Sequence, residues 1–293
     1  MQARLTAYPP DQAAITCTLD AGGTLRIGRG VDCGLRLDHP SISRAHAELA
    51  LRDGTWRLRD LGSKNGSFVD GIQVRDAVLA QPCWLRLGDL YCEFAPLSAD
   101  QAAAEASGLR QRRAQVTART ARIDGLQHLE DLLDASLRGV VELAQCERGF
   151  VLLAQGDRFA VRASLALSPA QLSSQLFSGS VGAILRALEQ RGSVVVNDIA
   201  LDPGLASRAS VVAAGLNALV CLPLLDGSRA LGAIYADRVR PGPAINTLDL
   251  ELLEAFAETA SLWLAARRGS ELLAGDEGAL HWDAIVAAHE AAA

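Results

Sequence analysis

Six side chains near the start of the chain combine charge with neutral hydrogen-bond donors: Arg29, Ser43, Arg44, Ser63, Lys64 and Asn65. They occur in two loops rich in Gly, Ser, Arg, Lys and Asn, within a stretch running from Arg26 to Gly71. A guanidinium offers planar charged donors and an ammonium a point charge, while a hydroxyl and a side-chain amide supply neutral donors. Together these groups suit a phosphate. Lys64 is the only lysine among 28 basic residues. No nucleophile–base pair and no metal-ligand cluster stands out, so no catalytic or metal role is expected for these residues.

The flanking sequence must position the two loops. Thr24 to Gly28, Ala45 to Arg52 and Thr55 to Asp60 alternate apolar and polar residues, the pattern of half-buried strands. Asp53-Gly54, Val69-Asp70-Gly71-Ile72 and Gly88-Asp89 read as tight turns. Many short strands with no helical period indicate an all-β sandwich over residues 1–97, with the loops at strand ends. Gly28-Arg29, Ser43-Arg44-Ala45-His46, the strand holding Trp56, and Asp60-Leu61-Gly62-Ser63-Lys64-Asn65-Gly66-Ser67 resemble the forkhead-associated (FHA) family in order and approximate spacing. The resemblance implies a β-sandwich whose loops bind a phosphothreonine peptide. It implies that Arg29 contacts the phosphate, Ser43 donates a hydroxyl, and Arg44 assists the phosphate or the peptide backbone. Asn65 would hold the peptide backbone, with Ser63 and Lys64 on the same loop. Gly28, His46 and Gly66 would support the site structurally. Ser67 stands where the family frequently has threonine, a departure expected to be harmless.

The pattern changes near Ser98. Residues 98–122 read as a polar linker with helical character, in which Gly108 and the cluster Arg110, Arg112 and Arg113 weaken any single continuous helix. Ile123 to Ala144 shows one apolar helical face over about six turns. Strands are expected about Gly156-Asp157 and Asp226-Gly227, helices over Ser180–Arg191 and from Asn246 or Thr247 to Arg268, and a short strand at Val194-Val195-Val196. This order fits helices packed on an antiparallel sheet, an α+β domain over 123–268. Leu219-Val220-Cys221-Leu222-Pro223-Leu224, Ala230 to Asp237 and the terminal helix resemble a GAF domain. The extended Asn-Lys, Phe and Asp-Glu signature of cyclic-nucleotide-binding GAF domains is not visible. Residues 269–293 form a C-terminal tail with a short amphipathic pattern at Leu280, Trp282, Ile285, Val286 and His289.

The resulting expectation is a non-enzymatic bacterial signalling adaptor. Its FHA domain would bind a phosphothreonine-containing protein, the substrate of a Ser/Thr kinase. Its GAF domain would act as a sensor or as a homodimer surface through its helices. The alternative is a small-molecule or cyclic-nucleotide sensor through the GAF pocket, with the FHA domain only localising it. No cofactor is expected, and no Gly-x-x-x-x-Gly-Lys-Ser/Thr loop exists to support ATP-driven work.

The chain is 293 residues long, 49% hydrophobic and 21% charged, which suits two globular domains. Its net charge of −6 gives no basic footprint for nucleic acid, and Arg110, Arg112 and Arg113 read as a solvated face. No apolar run reaches the roughly 18 residues of a membrane span, and the N-terminus lacks an apolar signal core. A cytoplasmic location without membrane contact is expected. The six cysteines form no Cys-x-x-Cys pair, which favours reduced core thiols. Cys221 reads as a core thiol, His128 as a surface residue, and Asp198 and Asp237 as turn-setting residues at strand ends.

Overall fold

The computed structural model describes residues 2–20, 22–123, 126, 128–156, 158–168, 172, 179–197 and 216–266. The chain divides into two compact units, one through Arg112 and one from Arg113.

The first unit holds eleven strands: β1 (Gln2–Tyr8), β2 (Ile15–Leu19), β3 (Thr24–Gly28), β4 (Leu35–Arg36), β5 (Ala47–Arg52), β6 (Thr55–Asp60), β7 (Ser67–Val69), β8 (Ile72–Val74), β9 (Asp76–Leu79), β10 (Cys83–Leu87) and β11 (Leu90–Leu97). They form two sheets, ordered β2-β1-β11-β10-β7-β8 and β4-β3-β5-β6-β9. The β3–β4 pair is parallel, and the other pairs are antiparallel. Alternation explains the core. Ala3, Leu5 and Ala7 of β1, Leu49 of β5, Trp56 and Leu58 of β6, and Leu85 and Leu87 of β10 are buried together. Each large aliphatic side chain so buried contributes about 1.5–3 kcal/mol. Trp56 meets Phe94 edge-on across this core, with centroids 6.2 Å apart.

The hairpin turns follow from Asp-Gly pairs. Asp53 and Gly54 have φ of 51° and 76°, and Asp70 and Gly71 have 47° and 83°. Paired positive φ matches the twist of the flanking strands. These turns fix the strand registers, and therefore which residues face the core.

Helix α1 (Ala99–Ile123) is one uninterrupted helix, contrary to the weakening expected at Gly108. A capping box starts it: Ser98 Oγ accepts from the Gln101 N–H at 3.2 Å, and Gln101 Oε1 accepts from the Ser98 N–H at 2.8 Å. One glycine costs about 1 kcal/mol, and alanine and arginine are strong helix formers. The expected helix over Ile123 to Ala144 is instead divided. Ile123 closes α1, and α2 begins at Leu129 and ends at Leu143. The apolar period alone concealed this division.

The second unit is an antiparallel sheet with helices on both faces. Its further elements are β12 (Arg148–Gln155), β13 (Arg158–Leu165), α3 (Val181–Gln190), β14 (Val194–Asn197), β15 (Ala218–Asp226), β16 (Arg229–Arg238) and α4 (Thr247–Ala266). The strand order is β13-β12-β16-β15-β14. Phe150, Leu152, Leu219, Cys221 and Tyr235 pack with Val181, Ile184 and Ala187 of α3. The alternate buried set, Val151, Val220, Leu222 and Ile234, points to the other face, where α2 and α4 pack. Asn246 caps α4 by accepting the Asp249 N–H at 3.0 Å.

Asp237 does not set a turn. It is buried, receives Arg148 Nε at 2.6 Å and Tyr235 Oη at 2.7 Å, and anchors β12 to β16. The expectations for Asp198 and for the 269–293 tail lie outside the described residues. His128 is exposed. All six cysteines are free, and Cys83, Cys92 and Cys221 are buried. Burial pushes the Cys92 thiol up to about 12 and raises Cys221 further. Among the described residues, no helix is long and apolar enough to cross a membrane.

Candidate functional site

Three loops of the first unit converge. One follows β3, one joins β4 to β5, and one joins β6 to β7. The first two are laced by backbone bonds: the Arg29 N–H donates to Ser43 O and the Gly30 N–H to Arg44 O, both at 2.9 Å. Gly28 makes this approach feasible, since a Cβ there would lie 2.3 Å from the Arg44 carbonyl oxygen and 2.9 Å from Cys33 Sγ.

Asp60 organises the third loop. Its Oδ1 accepts the Gly62 and Ser63 N–H groups, both at 2.9 Å. Its Oδ2 accepts the Ser63 and Ser67 hydroxyls, both at 2.6 Å. Burial alone would raise this carboxyl's pKa, but the bonds from Ser63, Ser67 and Gly62 outweigh it and hold the pKa below the usual carboxylate range. Gly66 turns the chain at φ +80°, a conformation that favours glycine, and its N–H donates to Ser63 Oγ at 2.9 Å.

Cross-links then join the third loop to the second. The Lys64 N–H donates to Ser43 Oγ at 3.0 Å, and Asn65 Nδ2 donates to the Ser41 carbonyl at 2.8 Å. His46 is fully buried beneath them. Its Nδ1 accepts the Ser43 N–H at 3.1 Å, so its proton sits on Nε2, which donates to the Gly66 carbonyl at 3.1 Å. Burial lowers the His46 pKa, against the opposing pull of the Gly66 carbonyl and Asp60. A neutral imidazole thus bridges two loops.

Of the sequence-selected residues, Arg29, Ser43, Arg44, Lys64 and Asn65 share this end of the sandwich. Arg29, Arg44 and Lys64 are exposed and form no ion pair with a described residue. Neighbouring arginines differ: Arg26 pairs with Asp32 and Arg36 with Asp38, both at 3.5 Å. The Ser43 oxygen already accepts from the Lys64 N–H, and its hydroxyl keeps a hydrogen that can donate. Ser63 is turned inward, its hydroxyl committed to Asp60 and Gly66. Three supports were not selected from sequence: Asp60, Ser41 and Ser67. An acidic residue two and three positions before the N–H groups it accepts is a local Asx-type signal that identifies Asp60. Ser41 has a local partner in His39, at 2.8 Å from its hydroxyl, but the groups it receives at the site, the Asn65 amide and the Asp89 N–H, are remote in sequence and leave no local signal.

In the second unit, an open groove of about 320 Å³ is lined by Ile123, Leu126, Ala135, Arg138, Gly139, Glu142 and Phe256. Among the described residues, no cluster of three His, Cys, Asp or Glu could hold a metal.

Comparison with known proteins agrees with this division. The family model described as FHA domain matches residues 25–90, and the model described as GAF domain matches residues 128–264. Glycogen accumulation regulator GarA of Mycolicibacterium smegmatis is 37% identical over 71 residues, covering 24% of this chain and 45% of that protein. FHA domain-containing protein FhaB of Mycobacterium tuberculosis is 37% identical over 73 residues, covering 24% of this chain and 46% of that protein. The match therefore spans a little under half the length of these curated relatives. A solved structure described as a structural and functional analysis of phosphothreonine-dependent FHA domain interactions is 30% identical, with 32% of this chain and 98% of that chain covered and a TM-score of 0.30. The chain carries an FHA domain followed by a GAF domain.

Proposed function

We propose that this protein is a phosphothreonine-dependent signalling adaptor. Its FHA loops bind a threonine phosphorylated by a Ser/Thr kinase, with Arg29 and Ser43 on the phosphate, Arg44 and Lys64 adding charge, and Asn65 holding the peptide backbone. The observation that carries this reading is the set of three exposed cations, unpaired with any described residue, on loops that meet at Ser43, whose oxygen accepts the Lys64 N–H. Unpaired cations and a free donor suit a phosphate dianion, and each charge-assisted bond contributes about 1.5–3 kcal/mol. The role is regulatory rather than catalytic, as the name of the relative GarA suggests for that protein. The GAF unit serves as a sensor or pairs two copies through α2 and α4.

Calorimetric titration of the full chain with phosphothreonine, threonine and glutamate forms of one peptide tests the site. Only the phosphorylated form should bind well, because a carboxylate has one fewer oxygen and about one charge less. Arg29→Ala should weaken that binding about 10- to 100-fold. Equal binding of the three peptides, or an unchanged affinity in the variant, would assign these loops to another ligand.

A further inference from the structure

The open groove of the second unit lies between α2, α4 and the segment that follows α1. Ala135 and Gly139 of α2 line it, one helical turn apart. Their small size leaves room above the α2 backbone. A Cβ on Gly139 would lie 2.7 Å from Phe256 Cζ, so the Phe256 ring of α4 rests against α2 at the glycine. Ile123 and Leu126 add apolar surface.

Helix α4 ends beside this groove. Trp263, in its last turn, donates from Nε1 to the Leu126 carbonyl at 3.2 Å, and α4 closes at Ala266. Residues 267–293 continue from that point, outside the described residues. Their sequence places Trp282, Ile285, Val286 and His289 at i, i+3, i+4 and i+7. That is the spacing by which an amphipathic helix lays its anchors into an apolar groove. Ala284, Ala287 and Ala288 lie among them, and alanine is the strongest helix former. The intervening residues 267–279 can span roughly 43–47 Å when extended. Phe256 lies only about 15 Å back along α4 from Ala266. Gly269, Gly275 and Gly278 ease the reversal that this return requires.

We propose that the segment from Trp282 to His289 docks as an amphipathic helix in this groove of its own chain, with Trp282 as the principal anchor. The inference goes beyond the phosphothreonine reading and does not depend on it. A buried Trp removes about 150–250 Å² of its own surface from water. The short tether supplies the rest, because it holds the segment at an effective concentration of about 1 mM. An intrinsic affinity of only about 100 µM then keeps the groove filled about nine-tenths of the time. Leu262 stands six residues from Phe256, about 120° around α4, so docking leaves a pairing surface at Leu262 uncovered. A foreign apolar helix could reach the groove only by displacing the segment.

Hydrogen exchange of the full chain, read by mass spectrometry, tests the docking. Amides of residues 283–289 should exchange about 10-fold more slowly in the wild-type chain than in Ile285→Glu, which removes an anchor from the segment alone. Ala135→Glu should release the same amides from the groove side, while β12, β15 and β16 keep their protection. Equal exchange of 283–289 in the wild-type chain and Ile285→Glu overturns the proposal. A second measurement does not depend on how the groove variant folds. With Trp282 replaced by a benzophenone amino acid, illumination should cross-link that position to the stretch 123–139 or to the neighbourhood of Phe256. In a mixture of isotopically light and heavy copies these links should join residues of one copy. Links that join light to heavy copies, or that avoid the groove, overturn the proposal.

Discussion

His46 Nδ1 and Nε2 each hold a backbone group of a different loop, so the side chain acts through hydrogen bonds rather than charge. His46→Ala would orphan the Ser43 N–H, at a cost of about 1–3 kcal/mol, and would leave the Gly66 carbonyl with only the Gly88 N–H. The pH dependence follows in sign. The folded pKa is lowered by burial, so the unfolded chain binds more protons between that lowered value and about 6.5. The contribution of His46 is complete above about pH 6.5 and is lost as pH falls towards the folded pKa. Urea midpoints at pH 7.5 and 5.5 should therefore fall with pH, and the fall should shrink in His46→Ala; an equal fall in both would remove His46 from the effect. Asp60 behaves likewise at lower pH. Its contribution is present above about 3.9 and is lost as pH falls through its lowered value. Arg29, Ser43 and Asn65 could be selected from sequence because their side chains carry chemistry wherever they stand. Ser41 could not, because its role is to receive Asn65 and Asp89 across the fold.

Strands were more legible than helix boundaries, for a physical reason. Asp53-Gly54 and Asp70-Gly71 specify their turns locally, through φ values that few residue types accept. The division between α1 and α2 leaves the apolar period nearly intact, so periodicity reads through it. The uninterrupted α1 illustrates the converse: an alanine- and arginine-rich stretch absorbs one glycine. At this scale Gly28 is the sensitive point, because it lets β3 and its following loop approach the segment from Ser43 to Arg44. In Gly28→Ala the new Cβ meets a backbone oxygen, not a flexible side-chain end. We expect a loss of about 1–3 kcal/mol, measured as a lower urea midpoint, together with weaker phosphopeptide binding. A variant of wild-type stability and affinity would show that the loops can part without consequence.

For the whole molecule, the proposed pairing of copies has a direct readout. Leu262 on α4 is 74% exposed, and the groove lined by Phe256 and Leu126 lies in the same unit. Light scattering of the full chain at tens of micromolar, roughly the range of a standard interface, should report a dimer, and Leu262→Glu should shift it towards monomer. A monomeric wild-type chain would sink this prediction. The succession of a β-sandwich and a domain of helices on a sheet was legible because the hydrophobic period switches from two to helical along the chain, whereas the choice between sensing and pairing was not, because both use the same apolar faces. Lys64 adds a property that only the complete composition reveals. It is the sole lysine in 293 residues, and it stands exposed on the loop that crosses to Ser43. Amine-acylating reagents can therefore modify a single side chain, beside the proposed phosphate, with the α-amine as the other target. A dye attached there becomes a local reporter, and protection of that amine by added phosphopeptide can be read by mass spectrometry as occupancy, without substituting any residue.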